Sequence, residues 1–181
     1  AAKYGSKDCF KLLVENGARF TDTFHYKSEF LYAAKSGSID LLEYLKERLT
    51  KNGLFESEKN KKDKHGNNAL HYAAISGKEA SIKFCIDNHI QISINKYGEN
   101  VLHKIATKVD MENVAINILI KELKSSGWLK NAINRQNEDG NSPLHIAAQS
   151  GNTMLIIKFI KLGADVTIKN NKNNTLLHTA I

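Results

Sequence analysis

The amino-acid sequence predicts an all-α solenoid of about five stacked units, of which the first and the last are incomplete. The main observation is a motif in which a tight turn is followed by a helix-capping residue and by apolar residues at the start of a helix. This motif recurs every 32 to 33 residues, and two of its spacings are stretched to about 40 residues. A second observation is that an apolar run with helical spacing follows each complete copy of the motif. Because a helix pair of this size cannot bury its own apolar surface, we expect each unit to pack against its neighbours.

The clearest copy of the motif runs from Asn137 to Gly151. Its Asp-Gly pair predicts a tight turn, because Gly140 adopts positive φ without a steric penalty. Ser142 lies at an N-cap position, and Pro143 follows at the first helical residue, where its missing N–H is not needed. The apolar run at 154–160 predicts the returning helix of the pair.

The other copies keep the same residue types at the same positions. Each N-cap position carries Ser, Asn or Thr, so that a side-chain oxygen accepts from the first helical turn. These caps are Ser28, Asn68, Asn100, Ser142 and Thr175. A Leu-His pair follows the cap in four copies, and the copy at Ser28 has Leu31 in place of the histidine. The pairs are Leu70-His71, Leu102-His103, Leu144-His145 and Leu177-His178.

The pattern L-H-x-A-A-x-x-G, the period and the Gly-Ala that closes the units resemble ankyrin repeats, and the resemblance covers nearly the whole chain. It implies a single ankyrin-repeat domain over 1–181, with the recurring histidine in a structural role, bonded to backbone near the turn. The implied repeat segments are about 1–22, 23–62, 63–94, 95–136, 137–169 and a partial 170–181. Finger-like turns and first helices would line a concave face on which a partner protein docks.

Two insertions lengthen the repeats, at 50–62 and at 108–135. The stretch from Thr50 to Lys64 is highly charged and has no apolar period, which predicts a mobile loop. In the second insertion, 111–124 predicts a lengthened second helix, and an extra helical turn follows near Trp128. We expect Trp128 to pack this extension onto the stack, with an exposed binding anchor as the alternative.

The ends and the cysteines lead to expectations about context. Both ends fall inside a unit, which suggests a piece of a longer protein. Cys9 and Cys85 lie in second-helix patterns, and we expect them to be buried reduced thiols, with Phe10, Leu12 and Leu13 also facing inward. Reduced thiols suit an intracellular protein, either cytoplasmic or in a host cytosol if it is a secreted effector. No apolar run is long enough for membrane insertion.

The formal net charge is +7, and lysine supplies 23 of the 26 basic residues. A coding bias toward Lys, Asn and Ile would produce this composition without selection for a polyanion. Nucleic-acid binding normally uses arginine, and the chain has only Arg19, Arg48 and Arg135. The composition therefore favours a solvated lysine-rich surface over a nucleic-acid interface.

No motif in the sequence predicts catalysis, a cofactor or a metal site. The chain lacks phosphate-binding glycine loops and paired cysteine knuckles. The four recurring histidines occur once per unit, so a solenoid spaces them too widely for one tetrahedral metal site. Ser142 and His145 form a capping pair, and His25, His65 and His89 are expected on the surface.

The sequence therefore predicts a noncatalytic module that binds a partner protein through its concave face. By motif position the contact residues are Phe24, His25, Lys27, Lys35, Lys64, His65, Asn67, Ile75, Lys96, Tyr97, Glu99, Lys108, Glu138, Asp139, Asn141 and Gln149, with Asn171, Lys172 and Asn174 in the last unit. Lysines and apolar side chains alternate over the first units, which favours an acidic-hydrophobic partner segment. The alternative function is the substrate-recruiting arm of a larger multidomain enzyme or secreted effector.

Overall fold

A computed structural model of the protein describes residues 6–16, 26–109 and 113–180, and the side chains of all of these except 26–28. Within these ranges the chain forms helices and turns and no strand, which confirms the all-α prediction. The helices are α1 (Lys7–Glu15), α2 (Tyr26–Ser36), α3 (Ile39–Lys51), α4 (Phe55–Glu58), α5 (Ala69–Ser76), α6 (Glu79–Asp87), α7 (Val101–Ala106), α8 (Asn113–Ser125), α9 (Leu129–Ala132), α10 (Pro143–Gln149), α11 (Thr153–Lys161) and α12 (Leu176–Thr179). None of these helices has the length and apolar character needed to cross a membrane.

The helices pack in two layers. The first helices of successive units, α2, α5, α7, α10 and α12, pack against one another in chain order. The second helices α3, α6 and α8 form a parallel row behind them, and α11 packs on α10. This arrangement is the repeat solenoid that the sequence predicts. We call the surface formed by the first helices and the turns that precede them the inner face.

The core lies between the two layers and runs through the whole stack. Leu70, Leu102 and Leu144, the leucines of the Leu-His pairs, are almost completely buried. Burial of one such side chain contributes about 1.5–3 kcal/mol. Ala73 and Ala74 are fully buried on the facing side of α5, where their small side chains let the neighbouring helices approach closely. The core is therefore shared between neighbouring units.

The first insertion is ordered, so the prediction of a mobile loop over 50–64 is wrong. α3 continues to Lys51, and α4 follows after a short turn. Phe55 at the start of α4 is buried and packs edge-on against Phe30, with ring centroids 6.2 Å apart. The ammonium groups of Lys46 and Lys59 each lie 5.9 Å from the centre of the Phe55 ring. The buried ring, covered by lysine side chains, anchors this charged segment to the stack, and Asn60 adds a hydrogen bond from Gln91 N at 2.8 Å.

The second insertion follows the prediction. α8 extends to Ser125, and α9 supplies the extra helical turn. Trp128 between them is partly buried and packs against the hydrophobic core. The beginning of this insertion, at 110–112, lies outside the described residues.

Three expectations for the first units are wrong. Ser28 is not an N-cap, because α2 begins two residues earlier at Tyr26. Cys9 is exposed, whereas Cys85 is buried as predicted. Leu12 and Leu13 are 62% and 55% exposed, because α1 contacts α3 through the side that carries the buried Phe10.

Candidate partner-binding face

The turns that precede the first helices form compact fingers, at residues 63–67, 95–99, 137–141 and 170–174. Each finger begins with Asp or Asn, whose side-chain oxygen accepts from two backbone N–H groups farther along the turn. In the second finger, Asn95 Oδ1 accepts from Tyr97 N at 3.0 Å and from Glu99 N at 2.9 Å. The same pair of bonds starts from Asp63, Asn137 and Asn170. The first residue of each finger therefore shapes the whole turn.

Backbone hydrogen bonds join each finger to the next. Lys96 N donates to His65 O at 2.9 Å, and Glu138 N donates to Tyr97 O at 2.9 Å. Between the last two fingers, Asn171 N donates to Asp139 O at 3.0 Å. The four fingers consequently form one continuous row, and the side chains at their tips keep a constant register.

The recurring histidines join the helix caps to the fingers. The backbone N–H of Asn100 donates to His103 Nδ1 at 3.2 Å, and His103 Nε2 lies 3.0 Å from Asn141 O in the next finger. His71 and His145 make the corresponding contacts with Glu99 O and Asn174 O. Burial lowers the pKa of His71 and of His103 to about 4, so both rings are neutral at pH 7 and donate through Nε2.

Helix caps also bind the loops behind them. The side-chain oxygen of Asn68 accepts from His71 N at 3.2 Å, and its amide nitrogen donates to Gln91 O at 2.6 Å. Asn100 donates in the same way to Ala132 O at 2.9 Å. An asparagine cap therefore connects its first helix to the end of the same unit, which a serine cap is too short to do.

The middle of the inner face carries an aromatic pair, in which Tyr97 is exposed and His65 is half-buried. The rings of His65 and Tyr97, in adjacent fingers, stack with centroids 5.6 Å apart, and the Tyr97 hydroxyl lies 2.6 Å from His65 Nδ1. Tyr97 is 43% exposed, and Lys64 and Lys96 beside the pair are exposed as well. His65, which was predicted on the surface and among the contact residues, lies in this stack.

A second aromatic position lies on the first helices. Tyr72 donates its hydroxyl proton to Asp63 Oδ2 at 2.7 Å, and the Lys35 ammonium lies 6.0 Å from the centre of the Tyr72 ring. Tyr32 occupies the equivalent position of α2 and is exposed. Sequence reasoning missed both tyrosines and Lys104, although all three follow directly on the histidine position of their unit.

Several predicted contact residues have structural partners instead. Asn67 and Asn141 are only 7% and 8% exposed, and their amide oxygens accept from Asn95 and Asn170 across the finger row. The carboxylate of Glu99 accepts a hydrogen bond from the ammonium group of Lys104. Burial raises the pKa of Glu99, but hydrogen bonds from Lys104 and Asn95 outweigh it, so the pKa lies below its usual value.

The remaining predicted contacts divide by exposure. Lys35, Lys64, Lys96, Glu138, Asp139, Gln149, Asn171 and Lys172 are exposed, whereas Ile75, Lys108 and Asn174 are half-buried. Phe24 and His25 lie outside the described residues, as does the side chain of Lys27. The exposed set is basic over the fingers at 63–67 and 95–99 and becomes acidic at Glu138 and Asp139.

The geometry offers no arrangement for catalysis in the described part of the chain. Ser142 Oγ lies 2.8 Å from His145 Nδ1, but both side chains are buried and His145 Nε2 faces Asn174 O. A serine that caps a helix in this way has no access to a substrate. Burial raises the pKa of the Cys85 thiol, so it stays protonated and unreactive. Within the same residues no three His, Cys, Asp or Glu side chains group as metal ligands.

Comparisons with known proteins agree with this architecture. Residues 30–124 match a family described as ankyrin repeats (3 copies), and residues 130–180 match one described as ankyrin repeats (many copies). The chain is 30% identical over 151 residues to L-asparaginase of Dirofilaria immitis, which covers 83% of this chain and 23% of that protein. It is 30% identical over 176 residues to a putative ankyrin repeat protein of Rickettsia bellii, covering 97% of this chain and 19% of that protein.

A further relative is the nuclear factor NF-kappa-B p110 subunit of Drosophila melanogaster, 32% identical over 95 residues, or 51% of this chain and 10% of that protein. The chain thus spans less than a quarter of the length of each of these relatives.

Proposed function

Because this chain belongs to the ankyrin-repeat family, we propose that it is a noncatalytic module that binds a partner protein on its inner face. Ankyrin repeats are in general protein–protein interaction modules. The inner face supports this role because its fingers are joined by backbone hydrogen bonds before any partner arrives. The fingers then lose less conformational entropy on binding a partner than a set of independent loops would.

The observation that carries the proposal is the stacked pair of His65 and Tyr97 between two exposed lysines. Aromatic side chains with large exposed area and little rotamer freedom are frequent energetic anchors of interfaces. Here Tyr97 is oriented by its contact with His65, and Lys64 and Lys96 lie on the same two fingers. The pair is thus a fixed anchor inside a positively charged surface.

The charge distribution suggests which partner this surface fits. Lys35, Lys64 and Lys96 attract carboxylates, whereas Glu138 and Asp139 repel them at the next finger. The partner is therefore a segment with acidic and apolar residues that covers the first two described fingers and ends before the third. An intracellular location of the chain, in the cytoplasm or in a host cytosol, would give access to such a partner.

Capture of partners from a cell lysate, by pull-down or proximity labelling, tests this placement. The test variant carries Lys64→Glu, Lys96→Glu and Lys108→Glu, and the control carries Lys121→Glu, Lys124→Glu and Lys161→Glu on the second helices α8 and α11. Both variants change the net charge equally. We expect the test variant to lose the partner and the control to retain it, with similar melting temperatures. Equal capture by both variants would refute the placement.

A second candidate function is the recruiting arm of a larger enzyme or effector. The similarity to a protein named L-asparaginase favours this alternative, because it links a similar sequence to an enzyme. A full-length gene product with the triple inner-face variant distinguishes the two. A recruiting arm would leave turnover of a small substrate intact and reduce turnover of a substrate bound to the partner, whereas a module without an enzyme would show no turnover in either form.

A further inference from the structure

The loops that follow the second helices form a groove away from the inner face. One cavity, of about 870 Å³, lies between Ile94 at the end of one unit and the segments 126–131 and 134–136 of the second insertion. A second cavity of about 350 Å³ adjoins it and shares Ser126 and Trp128. Neither cavity is lined by a finger tip, so this groove is separate from the surface proposed above.

The two ends of the groove differ in chemistry. The larger cavity is lined by the cations Lys130 and Arg135, by polar amides and by no carboxylate. The smaller cavity has an apolar side with Ile86, Ile90 and Ile92 in its wall, and a polar side that includes Glu122. Trp128 lies at the junction, partly buried, and one side of it packs on the core.

The walls of the basic end are fixed by hydrogen bonds. Arg135 Nε donates to Gly98 O at 3.2 Å, which holds the guanidinium beside the groove. Gln136 donates to Gly140 O at 2.7 Å and to Lys169 O at 2.8 Å. Lys62 from the first insertion approaches the same edge, with Nζ 3.4 Å from Ile94 O. Lys62 lies outside both cavity linings and adds positive charge only at the edge of the groove.

We propose that this groove binds a short acidic peptide segment, with carboxylates against Lys130 and Arg135 and an apolar side chain against Trp128 and the isoleucines. Charge complementarity places the carboxylates of the peptide at the larger cavity, because the lining of that cavity holds two cations and no anion. The isoleucines of the adjoining cavity select a neighbouring leucine or similar side chain. Nucleic acid fits less well, because its affinity depends on many phosphate contacts and this lining offers two cations.

Trp128 is the only tryptophan, so its fluorescence reports directly on the groove. The probe is an acetylated peptide of sequence EELEELEE, and KKLKKLKK serves as the charge-reversed control. We expect EELEELEE to shift the Trp128 emission saturably and KKLKKLKK to leave it unchanged. The absence of a saturable shift with EELEELEE would overturn the proposal.

Variants locate the binding. Lys130→Glu combined with Arg135→Glu should weaken EELEELEE binding by about tenfold or more. The matched control, Lys121→Glu with Lys124→Glu, changes the same charge on α8 outside both cavity linings and should bind as wild type does. Lys130→Glu alone provides a second readout if the Arg135 change lowers the melting temperature.

Three results would contradict this location. The first is that the groove variant binds EELEELEE as tightly as wild type does. The second is that the α8 control loses binding to the same extent as the groove variant. The third is displacement of the peptide by a single-stranded oligothymidylate at equal concentration, which would identify a nucleic-acid site instead. The inner-face triple variant should retain the fluorescence shift, so failure here is distinguishable from failure of the partner face.

Discussion

His103 Nε2 lies 3.0 Å from the backbone carbonyl oxygen of Asn141, a residue in the finger of the next unit. The same ring accepts the N–H of Asn100 at its own helix cap. One buried side chain therefore joins the start of a helix to the neighbouring repeat. This contact fixes the position of the finger row relative to the stacked first helices, and partner binding depends on that row.

Removal of this ring should destabilise the stack. We expect His103→Ala to lower the free energy of unfolding by about 2–4 kcal/mol, because it leaves a cavity and an unpaired buried carbonyl. His178→Ala is the matched control, since His178 caps Thr175 but is exposed, and should cost less than about 1 kcal/mol. Urea unfolding measures both. Similar losses for the two variants would show that the bond to Asn141 contributes little.

The neutral histidines should make stability depend on pH. Burial lowers the pKa of His71 and His103 to about 4, against about 6.5 in the unfolded chain, so between these values the unfolded state binds more protons. Their contribution is complete above pH 6.5 and is lost as the pH falls toward 4, with a slope approaching about 1.4 kcal/mol per pH unit for each ring.

Glu29 acts in the opposite direction, because burial raises its pKa to about 7 despite the charge of Arg48. The informative quantity is therefore the difference in slope between wild type and His103→Ala, measured by urea unfolding at several pH values between 7.5 and 5. We expect a smaller slope in the variant. Identical slopes would contradict the assignment of His103 as a buried neutral ring.

A methyl group at Gly140 should disturb the finger row. Gly140 has φ of 77°, and an added Cβ would lie 2.5 Å from the backbone nitrogen of Asn171. Gly140→Ala should therefore cost more than the penalty of about 1–2 kcal/mol for positive φ alone. Gly151→Ala is the control, because φ is 66° there and nothing lies within 4 Å of the added carbon. Equal thermal destabilisation of the two variants would contradict the close approach of the fingers.

Phe55 is the buried apolar anchor of the first insertion. Phe55→Ala should lower the free energy of unfolding by about 3 kcal/mol and expose residues 52–62 to proteases. The adjacent Leu54 is 39% exposed, and Leu54→Ala should change stability by less than about 1 kcal/mol. Limited proteolysis together with urea unfolding compares the two. If the Phe55 variant resists proteolysis as well as wild type does, the interpretation of this segment as a loop would be supported instead.

Local chemistry explains which parts of the fold could be predicted from sequence. Helix starts at Asn68, Asn100 and Ser142 follow from the cap residue and the histidine three positions later, which bond within one turn. The same logic failed at Ser28, because α2 begins before it. This copy has Leu31 in place of the histidine, so a cap residue without that histidine does not indicate a helix start.

The missed features depend on distant contacts. Phe55 packs against Phe30, 25 residues earlier in the chain. The residue pattern of a short charged segment does not indicate such a distant partner. Asn67 and Asn141 were assigned to the binding face by motif position, but their bonds to the following finger bury them. Tyr72 could have been identified, because it directly follows a histidine in a repeat whose fold was already clear.

The most direct test of partner binding on the inner face is site-specific photocrosslinking. A benzoylphenylalanine placed at Tyr97 probes the inner face, and the same residue at Val114, 51% exposed on α8, probes the second-helix layer. We expect partner crosslinks from position 97 and none from position 114. Crosslinks from position 114 alone would contradict the central claim that the fingers and first helices form the binding surface.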